Sequence, residues 1–526
     1  MGEHGLVRFE TPVAALASVA SAKGSSDAFV FPQGRLTFAE WDHRSTALAR
    51  ALLDLGFVAG DRIGLLAQNS IAWPIVQMAV AKAGMLLVPL NTHYRLDDLK
   101  YALGHAGVRA VFLTTEFRSN PFLALIRQAA RGLPDIRSLI MLDGPQDDCL
   151  DADSLIVQGS SSVRRLPTLS GSDVAAVIYT SGTTGFPKGA MLTHESVMAD
   201  GYLTFRRLGI TGDDRITSIV PMFHSASFCV AVAGCLQMGA TFFGHDVFEP
   251  VEMFKTIHEH RCTVHVGVPT SLLMMLDHPR RKEFDLSSLR VGTCGGADVD
   301  PELVRRCAAE FPLPGLVQIY GLTESAGIAT CPAADDPDRF STAGLPLDGF
   351  AIRITDRATG QPVPSGEIGQ VEIKSRFLMR GYLDNSEETR KTMTDDGWLR
   401  TGDLGHLRKD GKLVLSGGRL KDMIIRGGEN IYPAEIELVL MKHPAVSQVA
   451  VFALKDDRLG EIVAAAIRCH DTSAEELSGF CAERIAKFKV PAHYFRVEAF
   501  PLTPSGKIRK VELRELASAG RLEHLS

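Results

Sequence analysis

The chain has 526 residues, 45% hydrophobic and 22% charged, with a formal net charge of -6; this is globular composition, long enough for more than one domain. The acidic balance offers no polyanion-binding surface and argues against nucleic acid as a partner. Nine cysteines, an odd count without a C-x-x-C pair or Cys/His ligand spacing, read as reduced thiols of a cytoplasmic protein, with neither a disulfide framework nor a zinc site. Glu3 and His4 precede no continuous apolar core, so no signal peptide is expected. The most apolar window, Phe228 to Phe243, is interrupted by Gly234, Gln237 and Gly239 and is too short for a transmembrane segment.

In chain order, Leu36-Thr-Phe-Ala-Glu-Trp opens a predicted helix that runs through Ala47 to Leu55 and stops at Gly56. Asp61-Arg-Ile-Gly-Leu-Leu reads as a strand, Ala72 to Ala83 as a helix and Met85-Leu-Leu-Val-Pro-Leu as another strand. Val108 to Leu113 and Leu139 to Leu142 repeat the strand pattern, with Pro121 to Ala130 helical between them. Repeated units of this kind predict an α/β fold with a mostly parallel sheet covered by helices. Asp147 to Ser162, acidic and Ser-rich, is expected as a surface excursion. Its Asp153-Ser154-Leu155 lacks the glycine and the surrounding helical bundle of a carrier-protein phosphopantetheine site.

Val174 to Tyr179 has the apolar, β-branched profile of a buried strand, and Ser181 to Gly189 follows it with three glycines and three hydroxyls. Glycines let backbone N–H groups curl around phosphate oxygens, Ser181, Thr183 and Thr184 add hydroxyl donors, and Lys188 adds charge. The spacing is not that of a Walker A loop, because Gly189 follows Lys188; a solvated loop is the alternative reading of this stretch alone. Further on, Phe223 and His224 precede an apolar helix expected from Val230. Phe254 to Ile257 is helical and Cys262 to Val268 strand-like. Leu289 to Thr293 is a strand candidate running into Gly295-Gly296-Ala297, small residues that let a flat ring approach the backbone. Tyr320-Gly-Leu-Thr-Glu324 then brings together an aromatic, a hydroxyl and a carboxylate, suited to stacking a base, bonding a phosphate and holding a metal.

Ser416-Gly-Gly-Arg-Leu-Lys421 has the composition of a linker, placing a domain boundary between residues 1-418 and 419-526. Beyond it, Val449 to Leu454 and Val463 to Cys469 are strand-like and Ala474 to Phe488 helical, a small α+β domain.

The cradle, Tyr320 to Glu324, Thr401-Gly-Asp403, the run Gly418 to Pro433 and Pro501-Leu-Thr-Pro-Ser-Gly-Lys507 occur in the order seen in AMP-forming acyl-CoA synthetases. Over residues 30 to 515 the chain resembles that family of the adenylate-forming superfamily, which also includes carrier-loading adenylation domains and luciferases. The resemblance implies an enzyme that converts a carboxylic acid and ATP to an acyl-adenylate and pyrophosphate, then transfers the acyl group to coenzyme A. It also implies a large N-terminal domain and a small mobile C-terminal lid.

The resemblance assigns Thr180, Ser181, Gly182, Thr183, Thr184, Gly185 and Lys188 to the β- and γ-phosphates, Thr323 to the α-phosphate, and Glu324 to Mg2+. Tyr320 and the backbone of Gly295, Gly296 and Ala297 would sandwich adenine. Asp403 would take both ribose hydroxyls, with Arg419 adding a ribose or phosphate contact. Read singly, Asp403 is equally a turn residue, Glu324 a first-turn helix charge and Arg419 half of a surface pair. Lys507 would act in adenylation, Gly428 and Glu429 in the coenzyme A loop, and Lys421 as the hinge.

The acyl pocket is implied between Phe223, His224, the Gly295 region, Ile319 and Gly321, with His224 counted among the catalytic residues alongside Lys507, Thr323 and Glu324. Ile319 stands where many fatty-acyl and coumarate-type members have glycine, so a compact aryl, alicyclic or medium-chain acid is expected. The expected partners are that acid, ATP and coenzyme A, with a homodimer as a compatible assembly. Loading of a partner carrier protein is the alternative function; a luciferase-like oxygenase and a nucleotide-binding pseudoenzyme are less favoured.

Overall fold

Runs such as Ile63-Gly-Leu-Leu66 and Ala110-Val-Phe-Leu113 have no polar face to turn to water, so they need cover on both sides. In the computed structural model these residues are buried in adjacent parallel strands. The structure describes residues 6–118, 120–180, 187–296, 299, 301–356, 358–419, 422, 424–426, 429–431, 433–456, 459–485, 487–502 and 508–526. The chain divides into a larger unit, Met1–Ala351 with Ile373–Leu399, and a smaller one, Ile352–Glu372 with Arg400–Ser526. The division expected at 418/419 lies inside the smaller unit, because strand pairing carries that unit back to Ile352.

The larger unit contains two seven-stranded sheets among the described residues. One runs in the order Leu150–Asp151, Ser138–Met141, Val108–Leu113, Arg62–Leu66, Leu86–Pro89, Val174–Thr180, Lys188–Thr193. It is parallel up to its last pair, an antiparallel hairpin. The other runs Gly315–Gln318, Val291–Cys294, Val264–Gly267, Arg215–Ser218, Thr241–Gly244, Asp27–Phe31, Gly34–Thr37, again parallel except at its final hairpin. Helices Leu96–Ala106 and Phe122–Ala130 cover the first sheet through Leu99, Leu103 and Ile126. Phe254, Ile257, Leu272 and Phe311 cover the second.

Several local expectations are corrected. Leu36 and Thr37 close a strand, and the helix is Phe38–Asp54. A capping box decides its start: the Glu40 N–H donates to Thr37 Oγ1 at 3.2 Å, and the Thr37 N–H donates to Glu40 Oε2 at 2.8 Å. Asp147 to Ser162 is no loose excursion. It holds a helix, Ala152–Ser160, capped by Asp151, that packs on Phe38–Asp54 and buries Leu155. The apolar helix expected from Val230 begins earlier, as a π-helical turn at Ala226–Val232 that continues as Ala233–Met238.

Phe350–Thr355, Gly369–Ser375, Leu399–Leu407 and Leu413–Arg419 line up as a four-stranded sheet, most of whose residues belong to the smaller unit. A second sheet is built on the hairpin Val446–Asp456 and Gly460–Cys469, with His493–Arg496 parallel to the latter. Period-two alternation gives this sheet two faces. Val449, Val451, Ala465 and Ile467 pack with Ile436, Leu440 and Leu477, whereas Ala450, Phe452 and Ala464 pack with Phe500 and Leu513. The helix expected over Ala474 to Phe488 ends at Ala482, where the chain turns to reach strand His493–Arg496. Among the described residues no helix is long and apolar enough to cross a membrane.

Candidate active site

Thr180 and Lys188 face each other across the hairpin of the first sheet, so both ends of the Gly/Ser/Thr segment are held side by side. Ser181, Gly182, Thr183, Thr184 and Gly185 lie outside the described residues, as do Ala297, Lys421, Gly428 and Lys507. The approach to the segment is anchored by Tyr179, whose hydroxyl donates to Ala102 O at 3.1 Å. That leaves His105 Nδ1–H to donate to the same hydroxyl at 2.8 Å.

Lys188 and Glu324 sit in one connected network. Glu324 is 9% exposed, and its Oε1 accepts from the Tyr382 hydroxyl at 2.8 Å and lies 3.4 Å from Thr180 Oγ1. The Tyr382 ring also lies under Lys188, with Nζ 5.3 Å from the ring centroid, and Lys188 forms an ion pair with Glu388. Burial, then the neighbouring Glu324 charge, pushes the Tyr382 phenol up, so it stays a neutral donor. The Lys188 ammonium beside Glu388 holds that carboxyl below the usual carboxylate range.

Thr323, Glu324 and Ser325 form a 3₁₀ turn closed by Ser325 N–H to Leu322 O and Ala326 N–H to Thr323 O, both at 2.9 Å. Gly321 is obligatory there: a Cβ at that position would lie 1.8 Å from Gly327 O. Thr323 Oγ1 is 3.1 Å from Ser225 Oγ, which brings the turn beside Phe223 and His224, both half-buried. The Ala226 N–H donates to His224 Nδ1 at 3.2 Å, so the neutral ring carries its proton on Nε2. Tyr320 is buried and exchanges backbone hydrogen bonds with Thr330. Ile319, 7% exposed, bonds its N–H to Cys294 O at 3.0 Å and lies over Gly295, where a Cβ would meet Ile319 Cγ1 at 2.6 Å. Gly296 has φ of +79°. These groups gather at the carboxyl ends of the parallel strands Val291–Cys294 and Gly315–Gln318, where open α/β sheets bind ligands.

In the smaller unit, Asp403 and Arg419 are register partners on the strands Leu399–Leu407 and Leu413–Arg419, and the Asp403 N–H donates to Thr401 Oγ1 at 3.0 Å. Glu429 opens the short strand Glu429–Ile431.

Three residues escaped the reading of the chain. Tyr382 and Glu388 engage Glu324 and Lys188 from far along the sequence, and only the aromatic and acidic character of Tyr382 to Glu388 hinted at them. Asp200 lies behind the Thr323–Ser325 turn, 0% exposed, its Oδ1 accepting the Ile328 N–H at 2.7 Å, and burial holds its carboxyl well above the ordinary range.

Residues 16–383 match the AMP-binding enzyme family and residues 435–507 match the AMP-binding enzyme C-terminal domain. The mitochondrial medium-chain acyl-CoA ligase ACSF2 of Danio rerio is 34% identical over 517 residues, spanning 93% of this chain and 85% of the relative. A 7a-methyl-1,5-dioxo-octahydro-1H-inden-4-yl propanoyl:CoA ligase of Mycobacterium tuberculosis is 35% identical over 498 residues, spanning 93% of this chain and 95% of the relative. The crystal structure of ATP-bound MatB from Rhodopseudomonas palustris superimposes with a TM-score of 0.88 at 27% identity, covering 97% of this chain and 99% of that one. The chain belongs to the AMP-forming acyl-CoA synthetase family of the adenylate-forming superfamily and is an AMP-forming acid–CoA ligase.

Proposed function

We propose that this ligase activates a compact carboxylic acid, aryl, alicyclic or medium-chain, and transfers it to coenzyme A. The acid's carboxylate oxygen attacks the α-phosphorus of ATP, the bond to the β-phosphate oxygen breaks, and pyrophosphate leaves with that electron pair. The coenzyme A thiol, giving up its proton, then attacks the acyl carbon and AMP departs. Lys188 and Thr180 would bind the β- and γ-phosphates with the segment between them, and Thr323 the α-phosphate. Tyr320, Gly295 and Gly296 would hold adenine, and Asp403 the ribose with Arg419. Lys507 would stabilise charge during adenylation, and a pivot at Lys421 would bring Gly428 and Glu429 forward for coenzyme A.

Glu324 is the oxygen donor suited to Mg2+. No cluster of three or more His, Cys, Asp or Glu exists among the described residues, and Mg2+ is ordinarily held by one or two carboxylates together with substrate phosphates. The ion, when bound, would neutralise phosphate charge. What the chain itself contributes is a Glu324 carboxylate aimed by the Tyr382 hydroxyl.

The observation that carries the compact-acid reading is Ile319. Its side chain lies against Gly295, where a Cβ would meet Ile319 Cγ1 at 2.6 Å, just past the ends of the strands Val291–Cys294 and Gly315–Gln318. A medium-chain acid and a ring-bearing acid, the kinds named for the two relatives above, would both suit a short pocket. The test is kcat/KM over a chain-length and ring-size series for the wild type and Ile319→Gly, with AMP release followed with and without coenzyme A. Opening the floor should shift preference toward longer acids, each extra buried methylene contributing about 0.8 kcal/mol. An unaltered ranking would refute the pocket assignment. AMP release by a carrier protein but not by coenzyme A would point to the loading reaction instead.

A further inference from the structure

We propose that Glu388 is a positioning residue that competes with the β- and γ-phosphates of ATP for Lys188, and so sets how tightly the nucleotide is held and how readily pyrophosphate leaves. The inference rests on the assignment of Lys188 to those phosphates under the proposed function. The Lys188 and Glu388 side chains are 13% and 17% exposed and ion-paired, so water screens their attraction far less than it would at the surface. An ammonium is a compact point charge with three donors. Any phosphate oxygen that approaches Lys188 must displace or share the Glu388 carboxylate.

The geometry makes that exchange inexpensive. Glu388 presents Oε2 to Lys188, while its Oε1 accepts from Lys391 Nζ at 3.1 Å. Its backbone N–H donates to Asn385 Oδ1 at 3.0 Å, which fixes the first turn of helix Ser386–Thr392. When Lys188 turns to phosphate, Glu388 keeps Lys391, whose side chain is 60% exposed, and no carboxylate is left buried without a partner. Tyr382 ties the exchange to the other half of the site, since its ring lies under Lys188 while its hydroxyl holds Glu324.

The test is calorimetric titration of MgATP and of AMP, which lacks the phosphates in question, into the full chain. In Glu388→Gln, MgATP should bind about five-fold tighter with AMP unchanged, the scale expected from removing one partly buried competing charge. Lys391→Met, a surface change, should weaken MgATP about two-fold because Glu388 then leans on Lys188 alone. In a Lys188→Met background the Glu388→Gln gain should vanish. Weaker or unchanged MgATP binding in Glu388→Gln, an equal change for AMP, or a gain that persists without Lys188 would each overturn the proposal. A Lys188→Met protein that binds MgATP as well as the wild type would overturn the phosphate assignment itself, and the proposal with it.

Discussion

Replacing Asp200 with Asn tests whether the turn that carries Thr323 and Glu324 rests on a neutral acid. Asp200 sits on helix His194–Arg207 with one oxygen accepting from Ile328 N–H and the other, Oδ2, without a hydrogen-bond partner among the described residues. A carboxylate there would be a fully buried charge with a single donor, so the group keeps its proton and its affinity for it is raised. The unfolded chain releases that proton near pH 4. The stability Asp200 contributes is therefore whole below about pH 4 and falls as pH rises toward the folded-state value, by about 1.4 kcal/mol per pH unit for one proton. Asn has no such proton to take up, and its amide oxygen still accepts from Ile328. The stability of Asp200→Asn relative to the wild type should thus climb with that slope as pH rises above about 5, levelling off once the folded protein also releases the proton. Urea unfolding followed by tryptophan fluorescence reads it directly, since Trp41, Trp73 and Trp398 all belong to the same unit as Asp200. A difference between the two proteins that does not change with pH would refute the neutral acid. Asp200→Ala lacks the proton as well but also strands the Ile328 N–H, so it should be less stable than Asp200→Asn by ~1–3 kcal/mol at every pH.

Gly321→Ala places a Cβ 1.8 Å from Gly327 O and 2.8 Å from Ile328 Cα, all backbone that must move; the displaced turn should slow adenylation by ~10²-fold, read by pyrophosphate release. Lys507→Ala should slow adenylation by ~10²–10³-fold while leaving thioester formation from supplied acyl-adenylate largely intact, and equal losses in both half-reactions would remove Lys507 from its assigned role. Lys421→Pro should impair thioester formation more than adenylation, because a fixed φ and a missing N–H restrict the pivot; a normal rate from acyl-adenylate would rule Lys421 out as the hinge.

The βα rhythm of the larger unit was legible in the amino-acid sequence because strand and helix periods are local properties: Asp61 to Leu66, Ala72 to Ala83 and Val108 to Leu113 fall where their patterns predict. The ordered motifs likewise identified the family without any coordinates. Local rules also explain the near misses. A capping box at Thr37 outweighed the apolar pattern that began at Leu36, and an Asp151 cap with buried Leu155 made a packed helix of a stretch whose composition suggested a loop. What only the tertiary structure decided is which groups meet. Lys188 and Glu388 are 200 positions apart, and Asp200 reaches the Ile328 N–H across 128. Neither spacing carries a period or a motif. Such pairs arise where two elements are brought to the same end of a sheet, and there the burial of a charge, and the partner it must then find, depend on the whole packing arrangement and not on any residue's neighbours in the chain.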